Sequence, residues 1–194
     1  MRFLGRVFLS LALLGFAVAA RAAGPEVGAA APAFTLTDLD GKSFSLPEAA
    51  KSHKAVVVMF IATKCPYSNA YNDRMRDMAS AYEKRGVLFV GINSNKTEPA
   101  DEVRAHAKKH DFTFPLMKDP ENKVADLYDA RHTPEIYVVD SQGKLRYHGR
   151  IDENYEDPSK VESPDLKNAL EEMLGGKSVA KAETKAFGCS IKRV

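Results

Sequence analysis

The sequence predicts an α/β fold with a mixed central sheet flanked by helices and an N-terminal β-hairpin. Three observations indicate it. Residues 34–46 alternate apolar and polar side chains around an Asp-Gly pair. Residues 55–61 are nearly all apolar and β-branched, which is typical of a central strand covered on both faces. Helix and strand patterns then alternate to residue 174, and this order places helices on both faces of one sheet.

The individual elements follow from local patterns in chain order. Asp40-Gly41 predicts the turn of the first hairpin. Residues 66–85 carry apolar side chains at three- and four-residue steps, which predicts one long amphipathic helix that ends near Gly86. Further along, the patterns predict a strand at 87–92, a helix at 99–110, a short strand at 112–117, a helix at 121–130, strands at 135–139 and 145–151, and a last helix at 165–174.

Residues 1–22 have the composition of a secretory signal peptide. Arg2 and Arg6 precede an apolar run at 7–20, and the small residues Ala20 and Ala22 suit cleavage. The run is too short for a comfortable membrane span. We therefore predict an exported, periplasmic protein with no stable membrane insertion after cleavage, and a retained membrane anchor is the alternative.

Charge and length limit the possible partners and domains. Cleavage would remove three of the 28 basic residues, against 26 acidic ones, and would change the formal net charge from +2 to −1. Nucleic acid is therefore not an expected partner. The remaining length suits one domain, at 23–174, followed by a polar tail at 175–194. No oligomeric state follows from the sequence.

The chain has two cysteines, Cys65 and Cys189. Cys65 ends the apolar strand and precedes Pro66, a residue suited to a first helical turn. Unpaired backbone N–H groups and the helix dipole at such a position favour the thiolate, the reactive form of cysteine. An oxidising compartment would also allow the two cysteines to pair.

Three segments resemble the thioredoxin-like superfamily, and within it the exported redoxin branch related to peroxiredoxins, the thiol-specific antioxidant group. Residues 28–46 are similar to the N-terminal hairpin of redoxins, and Cys65-Pro-Tyr-Ser68 stands at the strand-to-helix junction. Residues 132–140 resemble the segment that holds a cis-proline, here Pro134, opposite the reactive cysteine. The resemblance implies a thioredoxin-like fold and a thiol-dependent oxidoreductase that needs no cofactor or metal.

Two departures from the family patterns affect the expected chemistry. Ser68 stands where a dithiol thioredoxin has its second cysteine, so Cys65 must be resolved by Cys189 or by an external thiol. Ser68 is expected either to hydrogen-bond the Cys65 thiolate or to help cap the helix. Val58 and Thr63 replace the pattern of proline and threonine that precedes a typical peroxiredoxin cysteine, which counts against efficient peroxide reduction.

Other candidate site residues come from the expected topology. The backbone of Thr133, before Pro134, would pair with an incoming extended chain. Arg150 ends the strand that returns towards Cys65, where it would stabilise the thiolate or orient a bound peroxide or carboxylate. The alternative for Arg150 is a surface ion pair with Asp152 or Glu153. His132 is a candidate proton donor or metal ligand.

The leading functional hypothesis is an exported thiol-disulfide oxidoreductase with Cys65 as nucleophile, acting on a protein or small-thiol partner. A thiol peroxidase that forms a Cys65 sulfenic acid is the first alternative. A copper-binding thioredoxin-like assembly module, in which Cys65, Cys189 and His132 converge, is the second. A redox-inert, chaperone-like protein and a static Cys65–Cys189 disulfide also remain open at this stage.

Overall fold

The computed structural model describes residues 24–194. The predicted signal peptide at 1–22 lies outside these described residues. Within them, none of the helices has the length and apolar character that crossing a membrane requires.

The elements alternate in the order that the sequence predicts, with short additions. The first half comprises β1 (Thr35–Thr37), β2 (Ser43–Ser45), α1 (Leu46–Ser52), β3 (Ala55–Phe60), α2 (Pro66–Ala70), α3 (Asn72–Glu83), β4 (Val87–Asn93) and α4 (Ala100–Lys109). The second half comprises β5 (Leu116–Lys118), α5 (Lys123–Leu127), β6 (His132–Thr133), β7 (Glu135–Asp140), β8 (Leu145–Gly149), a 3₁₀ turn (Pro158–Lys160), α6 (Asp165–Leu174) and β9 (Cys189–Ser190).

The central sheet is mixed, as predicted. Its strand order is β5-β4-β3-β7-β8, with β3 parallel to β4 and antiparallel to β7. All six residues of β3 are buried, because each face of the sheet carries its own apolar cluster. Val57 and Met59 belong to one cluster, whereas Val58 and Phe60 belong to the other, as the two-residue period of a strand requires. The β1–β2 hairpin is antiparallel, also as predicted.

The long helix predicted at 66–85 is instead two helices, α2 and α3, which meet at Tyr71. The Tyr71 amide donates to Ser68 O at 3.1 Å, a tighter turn than an α-helix makes. The Tyr71 side chain is fully buried, and its hydroxyl donates to Asp152 Oδ1 at 2.9 Å. This contact is 81 residues away in sequence, so the apolar periodicity, which continues through the break, could not reveal it.

The sheet register brings the candidate site to one end of the sheet. Phe60, the last residue of β3, pairs with Ile92 of β4 and with Glu135 of β7. The loop that follows β3 and the segment that precedes β7 therefore meet at this end. They carry Cys65 and Pro134, respectively.

The C-terminal tail wraps around the edge of the sheet after α6. The backbone amide of His148 in β8 donates to Ala182 O at 2.9 Å, and the backbone carbonyl of His148 accepts from the Thr184 amide at 3.0 Å. Strand β9 then pairs antiparallel with β6, with Cys189 opposite Thr133. Ile191 is buried against the second apolar cluster, so the tail packs onto the sheet close to its end, while the last residue, Val194, is exposed.

Candidate functional site

Cys65 is the N-cap residue of α2 and is 3% exposed. Its sulfur accepts a hydrogen bond from the Ser68 amide at 3.4 Å and donates one to Thr133 O at 3.1 Å. The Thr133–Pro134 peptide bond that follows this carbonyl is cis. Helix α2 and the segment before β7 thus converge on the Cys65 sulfur.

The Ser68 hydroxyl is used differently from either role expected for it. It accepts a hydrogen bond from the Ala62 amide at 3.1 Å, and the side chain is buried. It is the Ser68 backbone amide that contacts the Cys65 sulfur. The hydroxyl therefore ties the end of β3 to the first turn of α2 and fixes the loop that carries the cysteine.

A buried carboxylate holds the segment before Pro134. Glu135 accepts hydrogen bonds from the amides of Arg131 at 2.7 Å and His132 at 2.8 Å, and from His148 Nε2 at 2.8 Å. Burial opposes ionisation of Glu135, but these hydrogen bonds outweigh it and lower its pKa. The carboxylate form thus fixes the backbone that leads to Thr133.

Cys189 faces Cys65 from the tail. Its thiol is close enough to the Cys65 sulfur for Cys65 to contribute to the pKa of Cys189. Burial, followed by the interaction with Cys65, raises the pKa of Cys189 to about 11. Both cysteines are in the described part of the chain, and both are present as free thiols.

The raised pKa of Cys189 predicts that the pH dependence of its alkylation changes when Cys65 is replaced. In reduced wild-type protein, alkylation of Cys189 should reach half its maximal rate near pH 11. Removing the other sulfur with Cys65→Ser removes the interaction that favours protonated Cys189, so the midpoint should fall while burial keeps it above the ordinary value. Mass spectrometry of iodoacetamide-labelled peptides measures each cysteine separately. Equal midpoints in the two proteins would contradict a contact between the thiols.

The hydrogen bonds that the structure describes for Arg150 and His132 do not link either residue to the Cys65 sulfur. Arg150 Nε donates to the buried Asp165 at 2.7 Å, and Asp152 pairs with Arg74 instead, at 2.7 Å. A role for Arg150 at the Cys65 thiolate therefore stays a prediction. Among residues 24–194, His132 Nδ1 is buried without a hydrogen-bond partner.

The copper alternative requires Cys65, Cys189 and His132 to converge. In the described range, no group of three or more His, Cys, Asp and Glu side chains is arranged to hold a metal ion. The structure therefore does not bring these three residues together as a copper site.

Sequence reasoning did not select Glu98 or Glu135, two buried carboxylates that hold the loops on either side of Cys65. Glu98 ends the polar run at 93–98, which begins at Asn93, the last residue of buried strand β4. An uninterrupted polar run at the end of a buried strand is the available sign of such a residue, because polar groups in that position need partners.

The sequence is similar to known families of thiol-dependent redox proteins. The family model described as AhpC/TSA family matches residues 27–148. Thiol-disulfide oxidoreductase ResA of Geobacillus thermodenitrificans is 28% identical over 144 residues, which cover 72% of this chain and 80% of ResA. Peroxiredoxin Q, chloroplastic, of Oryza sativa subsp. japonica is 32% identical over 127 residues, which cover 62% of this chain and 57% of that protein.

Solved structures agree with the sequence matches. A hypothetical protein of Sinorhizobium meliloti 1021 superposes with a TM-score of 0.80 at 31% identity, covering 89% of this chain and 97% of that one. Two more distant structures share the fold: one described as a thiol:disulfide interchange protein of Chlorobium tepidum, at 20% identity, and one described as the thioredoxin domain of a thiol-disulfide oxidoreductase of Bacteroides vulgatus, at 22% identity. The predicted thioredoxin-like fold is confirmed.

Proposed function

The chain belongs to the AhpC/TSA family, and we propose that it is an exported thiol-disulfide oxidoreductase with Cys65 as nucleophile and Cys189 as resolving cysteine. The observation that carries this proposal is the position of Cys189, which pairs with Thr133 across β6 and β9 and faces the Cys65 sulfur. A thiolate that attacks a disulfide needs a second thiol to release the product, and this one is already in place.

The proposed reaction proceeds in two exchanges. The Cys65 thiolate attacks one sulfur of a substrate disulfide, forms a mixed disulfide and releases the other substrate sulfur as a thiolate. Deprotonated Cys189 then attacks the Cys65 sulfur, forms the Cys65–Cys189 disulfide and releases the second substrate thiolate. The substrate disulfide gains two electrons and the protein dithiol loses them. An external dithiol then restores the reduced protein.

The protonation of Cys189 is consistent with the proposed order of the two exchanges. In the reduced protein, burial and the interaction with Cys65 keep Cys189 protonated. A Cys65 sulfur in a mixed disulfide can neither ionise nor donate a hydrogen bond, so the part of the Cys189 pKa shift that Cys65 causes disappears. Cys189 is then deprotonated more easily, at the stage when its thiolate is needed.

Replacing Cys189 with serine tests the resolving role. We expect Cys189→Ser to form the mixed disulfide between Cys65 and glutathione at the wild-type rate but to release it about a hundredfold more slowly, because the serine hydroxyl does not attack a disulfide. Mass spectrometry after a pulse of glutathione disulfide measures the trapped adduct. The matched control is Ser190→Ala, which changes the next, exposed side chain of β9 and leaves both sulfurs in place. Wild-type release from Cys189→Ser would contradict the proposal.

A thiol peroxidase is the second candidate, and the burial of Cys65 favours it. Because Cys65 is only 3% exposed, its sulfur is more accessible to a small oxidant than to the disulfide of a folded protein. Attack on a hydroperoxide would give a Cys65 sulfenic acid and an alcohol, and Cys189 would then form the disulfide and release water. Comparing the rates with hydrogen peroxide and with glutathione disulfide, together with sulfenic acid trapping in Cys189→Ser, distinguishes the two functions.

Export is part of the proposal and rests on the signal-like residues 1–22. In an oxidising compartment, the Cys65–Cys189 disulfide would need a dedicated reductant to act repeatedly as a reductase. Fractionation of cells that express the full chain, with N-terminal sequencing of the product, tests export and cleavage together.

A further inference from the structure

Glu98 occupies a buried position beside the loop that carries Cys65. It is 1% exposed and lies at the end of the polar run that follows β4. Its carboxylate accepts hydrogen bonds from the amides of Thr63 at 2.7 Å and Lys64 at 3.1 Å. These are the two residues that immediately precede Cys65, so one carboxylate holds the backbone on which the nucleophile sits.

The Glu98 carboxylate is fully used as an acceptor. Besides the two amides, it accepts from Asn93 Nδ2 at 2.6 Å and from Asn95 Nδ2 at 2.9 Å. Burial opposes its ionisation, but these four hydrogen bonds outweigh it and lower its pKa. Lys118 Nζ donates to Glu98 O at 2.7 Å and brings a compensating charge into the same cluster. A neutral side chain with one oxygen could not satisfy all four donors.

The same cluster also holds the tail. Asn95 donates to Glu98 through its amide nitrogen and accepts from the Lys192 amide at 2.7 Å through its amide oxygen. A second hydrogen bond, from Lys96 N to Lys192 O at 2.9 Å, fixes the same tail residue. Lys192 is three residues after Cys189, so Glu98 is linked to both cysteine-bearing segments, directly to one and through Asn95 to the other.

We propose that Glu98 is a positioning residue that holds Cys65 and Cys189 in the relative placement that disulfide exchange between them requires. This proposal rests on the proposed function. Glu98 contacts neither sulfur in the described hydrogen-bond network. It acts through the 63–64 backbone and through Asn95, and both links depend on a carboxylate with two acceptor oxygens.

Glu98→Gln tests the proposal, with Glu102→Gln as the matched control. Glutamine keeps the shape of the side chain but presents an NH₂ group to two of the four donors. Glu102 contacts the same loop through Thr63 Oγ1 at 3.1 Å and Lys64 Nζ at 2.9 Å, but it binds neither backbone amide. We expect Glu98→Gln to slow release of glutathione from the Cys65 mixed disulfide about tenfold, and Glu102→Gln to stay within about twofold of wild type.

The thiol-disulfide equilibrium between the Cys65–Cys189 pair and glutathione provides a readout that a loss of stability alone would not change. Poorer placement of the two sulfurs should shift this equilibrium about tenfold towards the dithiol, which is about 30 mV in reduction potential. The first exchange, attack of Cys65 on glutathione disulfide, should change less than the second.

A second variant protects the test against misfolding of Glu98→Gln. Asn95→Ala cuts the link to the tail but leaves both amide contacts of Glu98 with residues 63–64 in place. It should slow the second exchange with no effect on the first, and its effect should not add to that of Glu98→Gln.

The outcomes separate the two proposals. If Glu98→Gln matches Glu102→Gln in both rate and equilibrium, or if Asn95→Ala leaves the second exchange unchanged, the positioning role of Glu98 is wrong. If the wild-type protein forms no Cys65–Cys189 disulfide under any glutathione ratio, the proposed function itself fails.

Discussion

Replacing Cys65 with serine is expected to abolish thiol release from glutathione disulfide and consumption of hydrogen peroxide alike. The serine hydroxyl is not ionised near neutral pH and forms no disulfide, so both reactions should fall to the rate without protein, a loss of at least about a thousandfold. The hydroxyl can still receive the Ser68 amide hydrogen bond and donate to Thr133 O, so the fold should be retained. Thermal unfolding of the variant checks this.

The comparison with Cys189→Ser separates loss of the proposed nucleophile from loss of either sulfur in general. Both variants lose one sulfur, yet only Cys189→Ser should give a single stoichiometric burst of thiol before turnover stops. A Cys65→Ser protein that still consumes either substrate would show that the reaction does not use this cysteine. If Cys189→Ser were equally active, the reaction would use neither of the two cysteines.

The position of Cys65 was predictable because the evidence for it is local. An apolar run followed by Cys-Pro indicates a strand-to-helix junction without knowledge of the rest of the chain, although β3 itself ends at Phe60 and a loop at 61–64 precedes Cys65. The Thr133-Pro134 segment was predictable through its resemblance to redoxins. The short β6 and β9 strands were not, because two residues carry no periodicity and each strand exists through its partner.

The buried carboxylates and the docking of the tail depend on contacts between distant residues. Thr63 and Glu98 are 35 residues apart, and Asn95 and Lys192 are 97 apart. The polar run at 93–98 marks a place where polar groups need partners, but it does not show which donors reach Glu98, because those donors come from other segments. The partner of Arg150 was missed for the same reason. The sequence does not indicate that helix α6 brings Asp165 to the Arg150 guanidinium.

Gly188 is the residue that lets the tail approach Cys65. Its φ angle is +144°, a conformation that other residues rarely adopt. A Cβ atom at this position would lie 2.1 Å from Thr133 O, the carbonyl that the Cys65 thiol contacts. Because the obstacle is backbone on both sides, the clash cannot be relieved by turning a side chain. The next residue is Cys189, so displacing this strand moves the sulfur that we propose as the resolving one.

Gly188→Ala is therefore expected to detach β9 from β6 while the sheet stays folded. Formation of the Cys65–Cys189 disulfide should slow about a hundredfold, equivalent to about 3 kcal/mol. Alkylation of Cys65 should become faster as its cover is lost, and the Ile191 amide, which donates to Arg131 O at 3.0 Å, should exchange hydrogen faster. Mass spectrometry measures all three changes.

The matched control for Gly188→Ala is Gly176→Ala, in the same tail. Gly176 also has a positive φ, +71°, but apart from its chain neighbours no atom of the described residues lies within 4 Å of its added Cβ. This variant therefore has the backbone strain without the clash at Thr133, and it should keep wild-type disulfide formation. If Gly188→Ala behaves like Gly176→Ala in all three measurements, close docking of the tail strand at Thr133 is not what holds Cys189 beside Cys65. If instead Gly188→Ala alone exposes Cys65 and slows the second exchange, the tail is both the cover of the nucleophile and the element that resolves it.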